Sequence, residues 1–301
     1  MDSPLLFPVS LTENTIQVLD ETKIPYTCEY ITVKTLDDAL GVLGQMKTRS
    51  LGQVLLFFYC CVLFENSCAS DEIAGKFQKT RPTFDFLFLN GLIKRYRASG
   101  APLDKIVSGF ITNFDRARKL RATTLAGLLP QEAHILTICN VNGELLYLAE
   151  ALESSGKHVS YYVCETRPYL QGSRITFWEL RKNNLSCYLL CDNQAALLMK
   201  KQKVNCVVVG ADRATKTGDI INKTGTYALG CLARHFNIPF YALTQYPRDI
   251  DVNSIEIEER PPREVFSYIE KWSNGQDAVY PAFDVVPGRL ITKSLELPMK
   301  Q

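Results

Sequence analysis

Asp212 directly follows Gly210-Ala211 at the end of the apolar run Val207–Val209, and a polar stretch carrying Lys216, Asn222, Lys223 and Thr224–Thr226 comes after it. Consecutive valines suit the interior of a sheet. The acid therefore falls at the carboxyl end of a strand, the edge at which open α/β sheets hold ligands. The cations that follow, with the start of the next helix, offer a seat for an anion. Asp212 is then either an acid that keeps its proton in a closed pocket or a cap for the turn at 213–216. Cys139 ends a second apolar run, Ile135–Cys139. It is either a thiolate base or nucleophile beside a helix start or a small buried hydrophobe. Arg49, Arg81 and Arg167 are candidates for gripping phosphate, since a planar guanidinium donates two parallel hydrogen bonds; the alternative for each is a surface ion pair. Gln171, in RPYLQGSR, suits either a sugar hydroxyl or a loop backbone group.

The elements that must position these residues fall into two stretches of different rhythm. Before about residue 128 come two short strand-like runs, TIQVL and EYITV. A capping-box start at Thr35–Asp38 follows, then helical segments near 50–66, 71–98 and 102–128. After Pro130 apolar runs alternate with helical patterns: strands at Ile135–Cys139, Val159–Cys164, Cys187–Cys191, Cys206–Gly210 and Pro239–Thr244, with helices near 144–155, 174–183, 193–202 and 224–236. That alternation predicts a Rossmann-like, doubly wound parallel sheet in a domain 129–301, preceded by a smaller, mainly helical domain 1–128 with a short β element. The tail carries a loop at Ser273–Tyr280 and a short apolar run, Ala282–Ile291. Each of the five strands ends in polar residues (Asn140, Glu165-Thr166-Arg167, Asp192-Asn193-Gln194, Asp212-Arg213, Gln245). In a parallel sheet those ends lie side by side, so a single site assembled from distant sequence is expected.

Composition narrows the classes. With 34 basic and 32 acidic residues the net charge is +2, which argues against a dedicated nucleic-acid binder. The 10 cysteines are scattered, several inside apolar runs, and none forms a CxxC pair; a reduced, cytoplasmic protein is expected. His134, His158 and His235 do not cluster by spacing, no Gly-x-Gly-x-x-Gly follows a strand, and no P-loop is present. No metal, dinucleotide or ATP site is therefore expected. The N-terminal residues do not read as a signal peptide. The apolar run Val54–Phe64 is too short to span a bilayer, so it is expected to be a buried helix, with no membrane partner.

In order along the chain, KTRPT (79–83), ETRPYLQGSRITFWEL (165–180), GADR, NKTGTY and PAFDVVPGRLIT (281–292) make a specific set. Together they resemble the methylthioribose-1-phosphate isomerase family. That family also includes ribose-1,5-bisphosphate isomerase and regulatory subunits of the guanine-nucleotide exchange factor of translation initiation. The resemblance implies an aldose–ketose isomerase that uses no cofactor, acts on a 5-substituted ribose 1-phosphate, and pairs as a homodimer. It implies Cys139 and Asp212 as the catalytic pair, and Arg49, Arg81, Gln171, Asn222 and Lys223 as substrate-binding residues. The alternatives it leaves are an isomerase of another pentose phosphate and a non-catalytic regulatory homologue that binds a sugar phosphate. Exchange-factor subunits typically lack the cysteine–aspartate pair, so its presence favours an enzyme. The pattern departs at Arg49-Ser-Leu-Gly-Gln-Val-Leu55, where the isomerases usually read Arg-Gly-Ala-Pro-Ala-Ile-Gly, and at Ile138, where many carry His.

Overall fold

Residues 1–245, 250–267 and 278–297 are described by a computed structural model of the chain, which divides into two units, Asp2–Ala117 and Arg118–Gln301 with Met1. The division falls inside a long helix, whereas the sequence places the change of rhythm at 128/129. Most of the loop expected at Ser273–Tyr280 lies outside the described residues.

The first unit opens with an antiparallel meander, β1 (Val9–Leu11), β2 (Ile16–Leu19) and β3 (Tyr30–Val33), in which Val9 faces Val18 and Ile16 faces Val33. β1 was not expected from sequence; its three residues carry too little pattern to read. Helix α1 (Leu36–Gly44) starts at the expected capping box, where the Asp38 amide donates to Thr35 Oγ1 and the Thr35 amide to Asp38 Oδ2 (3.1 and 2.9 Å). The apolar run at Val54–Phe64 lies in α2 (Ser50–Leu63), a helix buried on most sides. The helical segment expected over 71–98, with Pro82 as its punctuation, is two helices, α3 (Ser70–Thr80) and α4 (Phe86–Arg97). Pro82 cannot continue α3, and Asp85 restarts the helix by accepting from the Phe88 amide at 3.1 Å. Phe57, Phe77 and Phe86 pack at centroid distances of 5.2–5.5 Å in the centre of this unit's core. Helix α5 (Leu103–Leu128) runs across the division.

The second unit is built on a six-stranded parallel sheet. Its strands are β4 (Glu132–Thr137), β5 (His158–Cys164), β6 (Cys187–Leu190), β7 (Cys206–Gly210), β10 (Phe240–Thr244) and β12 (Lys293–Glu296), in the order β12-β10-β7-β4-β5-β6. The α/β class and the five expected strands are as the sequence indicates. The sixth, β12, was missed because KSLE lacks an apolar run and its pairing partner, β10, is distant in sequence. The connections carry α6 (Glu144–Ser154), a π-helical turn at Gly172–Phe177 leading into α7 (Trp178–Lys182), α8 (Ala195–Lys200) and α9 (Thr226–His235). The stretch between Asp212 and α9 is not a simple polar turn. It holds β8 (Arg213–Ala214) and β9 (Ile220–Lys223), which join β11 (Phe283–Val286) in a small antiparallel sheet ordered β11-β9-β8. Val207, Val208 and Val209 are fully buried, as expected of a central strand. Among the described residues no helix is long and apolar enough to cross a membrane.

Two features fix this unit. The C-terminal half of α5 is tied to it by buried charge. Arg121 donates through Nε to Glu144 Oε2 (2.9 Å) and through Nη1 to the carbonyls of Thr244 (2.5 Å) and Leu295 (3.2 Å). Arg118 reaches the Asn142 carbonyl and lies 3.7 Å from Glu144. Second, Gly172 packs so closely on the last residue of β5 that a Cβ there would sit 1.7 Å from the Cys164 carbonyl oxygen. Glu144→Ala leaves two buried guanidinium groups without their shared carboxylate; chemical denaturation is expected to read a loss of about 3–5 kcal/mol. Gly172→Ala forces the backbone apart and is expected to cost about 2 kcal/mol in the same measurement. A variant as stable as the parent would contradict the packing described.

Candidate active site

β4 and β7 are neighbours, with Leu136 level with Val207. Continued by three residues, that register sets Cys139 level with Gly210, two residues before Asp212. Adjacent strands lie about 4.8 Å apart. The loop after Cys139 crosses directly over Gly210, where a Cβ would lie 3.8 Å from the Asn140 carbonyl and 3.7 Å from Val141 Cγ1. Cys139 and Asp212 therefore leave the same edge of the sheet from adjacent strands. Both are half-buried.

Cys139 has a left-handed backbone, φ 65°, which costs an L-residue about 1–2 kcal/mol. Side chains hold it there. Its amide donates to Thr166 Oγ1 (2.8 Å), and its carbonyl accepts from Thr176 Oγ1 (2.6 Å). Thr166, itself at φ 65°, is clamped in turn, because the Asp192 carboxylate accepts from the amides of Thr166 and Arg167 (both 2.8 Å). The ends of β4, β5 and β6 are thus joined by hydrogen bonds converging on Cys139. Burial pushes the thiols of Cys164 and Cys206 up to about 12, so those two are protonated packing residues.

The Asp212 amide donates to the Ile221 carbonyl at 2.8 Å, placing the acid beside the start of Asn222-Lys223. Asn222 and Lys223 are buried. Asn222 Nδ2 donates to Thr226 Oγ1 (3.0 Å), and the Lys223 ammonium lies 4.6 Å from the centre of the Phe283 ring. Gly225, at φ 103°, lets the first turn of α9 close on β4: a Cβ there would approach Ile138 Cδ1 to 2.9 Å. The segment 222–226 consequently packs against the residue preceding Cys139. The anion seat expected at this helix start is partly filled by the chain itself, since Asp284 Oδ2 accepts from the Gly225 (2.6 Å) and Tyr227 (3.0 Å) amides. Asp284, in the PAFD segment, carried no role in the sequence reading; its spacing to NKTGTY across a β-pair gave no local signal.

Gln171 is 2 % exposed, and its Oε1 has no hydrogen-bond partner among the described residues. The guanidinium of Arg167, a candidate for gripping phosphate, donates to the carbonyls of Val265 (2.6 Å) and Pro168 (3.3 Å). Its neighbour Tyr169 belongs to a cluster that sequence spacing did not reveal. The Tyr169 hydroxyl donates to Glu264 Oε2 (2.5 Å) and accepts from Arg260 Nη2 (2.7 Å). Burial, helped by Glu264, pushes this phenol up to about 12.

Arg49 and Arg81 belong to the first unit, where they share a network. Arg81 is 1 % exposed and donates to Gln53 Oε1 (3.3 Å), while Gln53 Nε2 donates to the Thr48 carbonyl (2.9 Å). The Arg49 amide and the Thr48 hydroxyl both donate to Glu21 Oε1 (2.8 and 2.6 Å). Burial raises the Glu21 carboxyl above its ordinary value, and the Arg49 charge opposes that rise.

Residues 96–295 match the Initiation factor 2 subunit family. The methylthioribose-1-phosphate isomerase of Desulforamulus reducens is 35% identical, over 92% of this chain and 90% of that protein. The crystal structure of 5-methylthioribose 1-phosphate isomerase from Pyrococcus horikoshii OT3 superposes with a TM-score of 0.78 at 26% identity, covering 98% of this chain and 93% of that one. The translation initiation factor eIF-2B subunit delta from A. fulgidus gives 0.72 at 25% identity, covering 96% and 93%. With a family match across most of its length and an isomerase relative aligned almost end to end, the chain belongs to the Initiation factor 2 subunit family that includes methylthioribose-1-phosphate isomerase.

Proposed function

We propose that this protein is an aldose–ketose isomerase of a 5-substituted ribose 1-phosphate, 5-methylthioribose 1-phosphate first among them, with Cys139 and Asp212 as the catalytic pair. What supports the reading is that Cys139 and Asp212 leave neighbouring strands at the same carboxyl edge, with Asp212 bonded to the residue before buried Asn222 and Lys223. The identity to isomerase relatives supports it.

The chemistry calls for such a pair. A sugar esterified at its anomeric oxygen cannot open as a free sugar does, so opening needs a proton at the ring oxygen. Asp212 supplies it. Cys139, as thiolate, takes the hydrogen at C2 as a proton, giving an enol between C1 and C2. The proton on sulfur returns at C1, and the O2 proton passes back to Asp212 as the C2 carbonyl forms. Protons and electrons balance over the cycle, and no redox partner is required. Lys223 and Asn222 bind the anionic and hydroxyl groups of the substrate, and Gln171 accepts from a hydroxyl. For Arg49 and Arg81 the family resemblance alone carries the substrate-binding assignment, as it does for homodimer formation and a cytoplasmic setting.

The test is turnover of 5-methylthioribose 1-phosphate by the parent, Cys139→Ser and Asp212→Asn. Each substitution is expected to lower kcat by at least about 100-fold, the scale of a positioned acid or base. Both variants should melt within a few degrees of the parent. Undiminished turnover in both would remove the mechanism. Tight binding by the parent without turnover would favour a regulatory sugar-phosphate-binding protein, the reading that the likeness to an eIF-2B subunit supports.

A further inference from the structure

Tyr280 is 5 % exposed, and its hydroxyl has no hydrogen-bond partner among the described residues. Its backbone is fixed, since its carbonyl accepts from the Arg260 amide at 3.0 Å. The two residues after it run alongside the substrate segment: the Pro281 carbonyl accepts from Thr224 Oγ1, and the Ala282 carbonyl from the Thr224 amide at 3.2 Å. On its other side, its ring meets the edge of Tyr169 at a centroid distance of 6.0 Å and 64°. Tyr169 lies in the segment Thr166–Gln171, whose first residue holds the Cys139 amide. Tyr280 thus stands between the two segments that flank Cys139.

The two tyrosines contrast. The Tyr169 hydroxyl is fully engaged by Glu264 and Arg260, whereas the Tyr280 hydroxyl has been taken out of water with no acceptor among the described residues. A phenylalanine would fill the same space without that penalty. Burial, with the Glu264 carboxylate nearby, pushes the Tyr280 phenol far above its ordinary value, so it stays protonated. It is a buried donor lacking an acceptor. Gln171 Oε1, two residues after Tyr169, is an acceptor lacking a donor among the described residues. A donor and an acceptor of this kind match the hydroxyl-bearing carbons of a sugar.

We propose that Tyr280 binds the pentose directly, its O–H donating to a sugar oxygen; the inference rests on the isomerase reading and adds a substrate-contacting residue to it. The experiment compares the parent with Tyr280→Phe, using 5-methylthioribose 1-phosphate and ribose 1-phosphate as probes. It reads the Kd by calorimetry, kcat/KM by turnover, and the melting temperature without ligand. Loss of one neutral hydrogen bond is expected to weaken Kd by about 3–10-fold and to lower kcat/KM by at least that factor, with the ligand-free melting temperature unchanged or raised. An unchanged Kd overturns the proposal. A lowered ligand-free melting temperature also overturns it, because the hydroxyl would then serve the fold. If the parent binds a probe but does not turn it over, the isomerase reading fails, while the Kd ratio still decides the role of Tyr280. If the parent binds neither probe, both fall.

Discussion

The parallel pairing of β4 with β7 is the constraint on which the rest of the second unit's edge depends. Strand register is quantised: a slip of one residue would turn every side chain to the opposite face. Here it is held by Leu136 opposite Val207 in the centre of the sheet, both fully buried. Because that pairing is locked by packing, Cys139, two residues past β4, and Asp212, two residues past β7, emerge at the same edge although the chain between them forms two further strands and their helices. No local signal has to bring them close.

A shared sheet edge does not by itself aim a side chain. The aiming is done by hydrogen bonds to backbone at the one residue whose conformation is costly. Cys139 sits at positive φ, and both of its peptide groups are taken by threonine hydroxyls from the next connection, Thr166 and Thr176. Thr166 is held by Asp192 from the end of a third strand. Each bond contributes about 1 kcal/mol net, enough together to offset the left-handed backbone. The π-helical turn at Gly172–Phe177 fits this picture, since π turns accommodate local demands that a regular helix would not meet. It delivers Thr176 toward Cys139 while Gly172 lies against β5.

What was legible in the sequence follows the range of each signal. Apolar runs such as Val207–Val209 and the Thr35–Asp38 cap are local, and the strands, helices and parallel sheet they predict are present. Pairings between distant and short segments were not legible. β9 with β11, β10 with β12, and the seating of Asp284 on the first turn of α9 depend on contacts that no window of sequence contains. Pro82, a local breaker readable in the sequence, falls at the interruption between α3 and α4. Residue types and the family resemblance together pointed to Cys139, Asp212, Gln171, Asn222 and Lys223 as candidates. Thr166, Thr176 and Asp192, which hold the Cys139 backbone, carry no such signal and reveal themselves only through geometry.

The distribution of unsatisfied polar atoms gives a further reason to regard the carboxyl edge as a place built for a ligand. Thr137 closes β4 and Thr244 closes β10; both are buried, and the hydroxyl of each has no partner among the described residues. Gln171 Oε1 and the Tyr280 hydroxyl add two more. Each such atom costs about 1–3 kcal/mol if it remains dry and unpaired, a large sum against an ordinary domain stability of about 5–15 kcal/mol. A fold with no use for these groups would be more stable with valine, phenylalanine or methionine in their places. The same edge is meanwhile reinforced from behind, where Arg121 bonds the Thr244 and Leu295 carbonyls and pairs with Glu144. A preorganised polar site needs both of these, rigid support and unmet hydrogen-bonding capacity, because its donors and acceptors must be held in place before the molecule that completes them arrives.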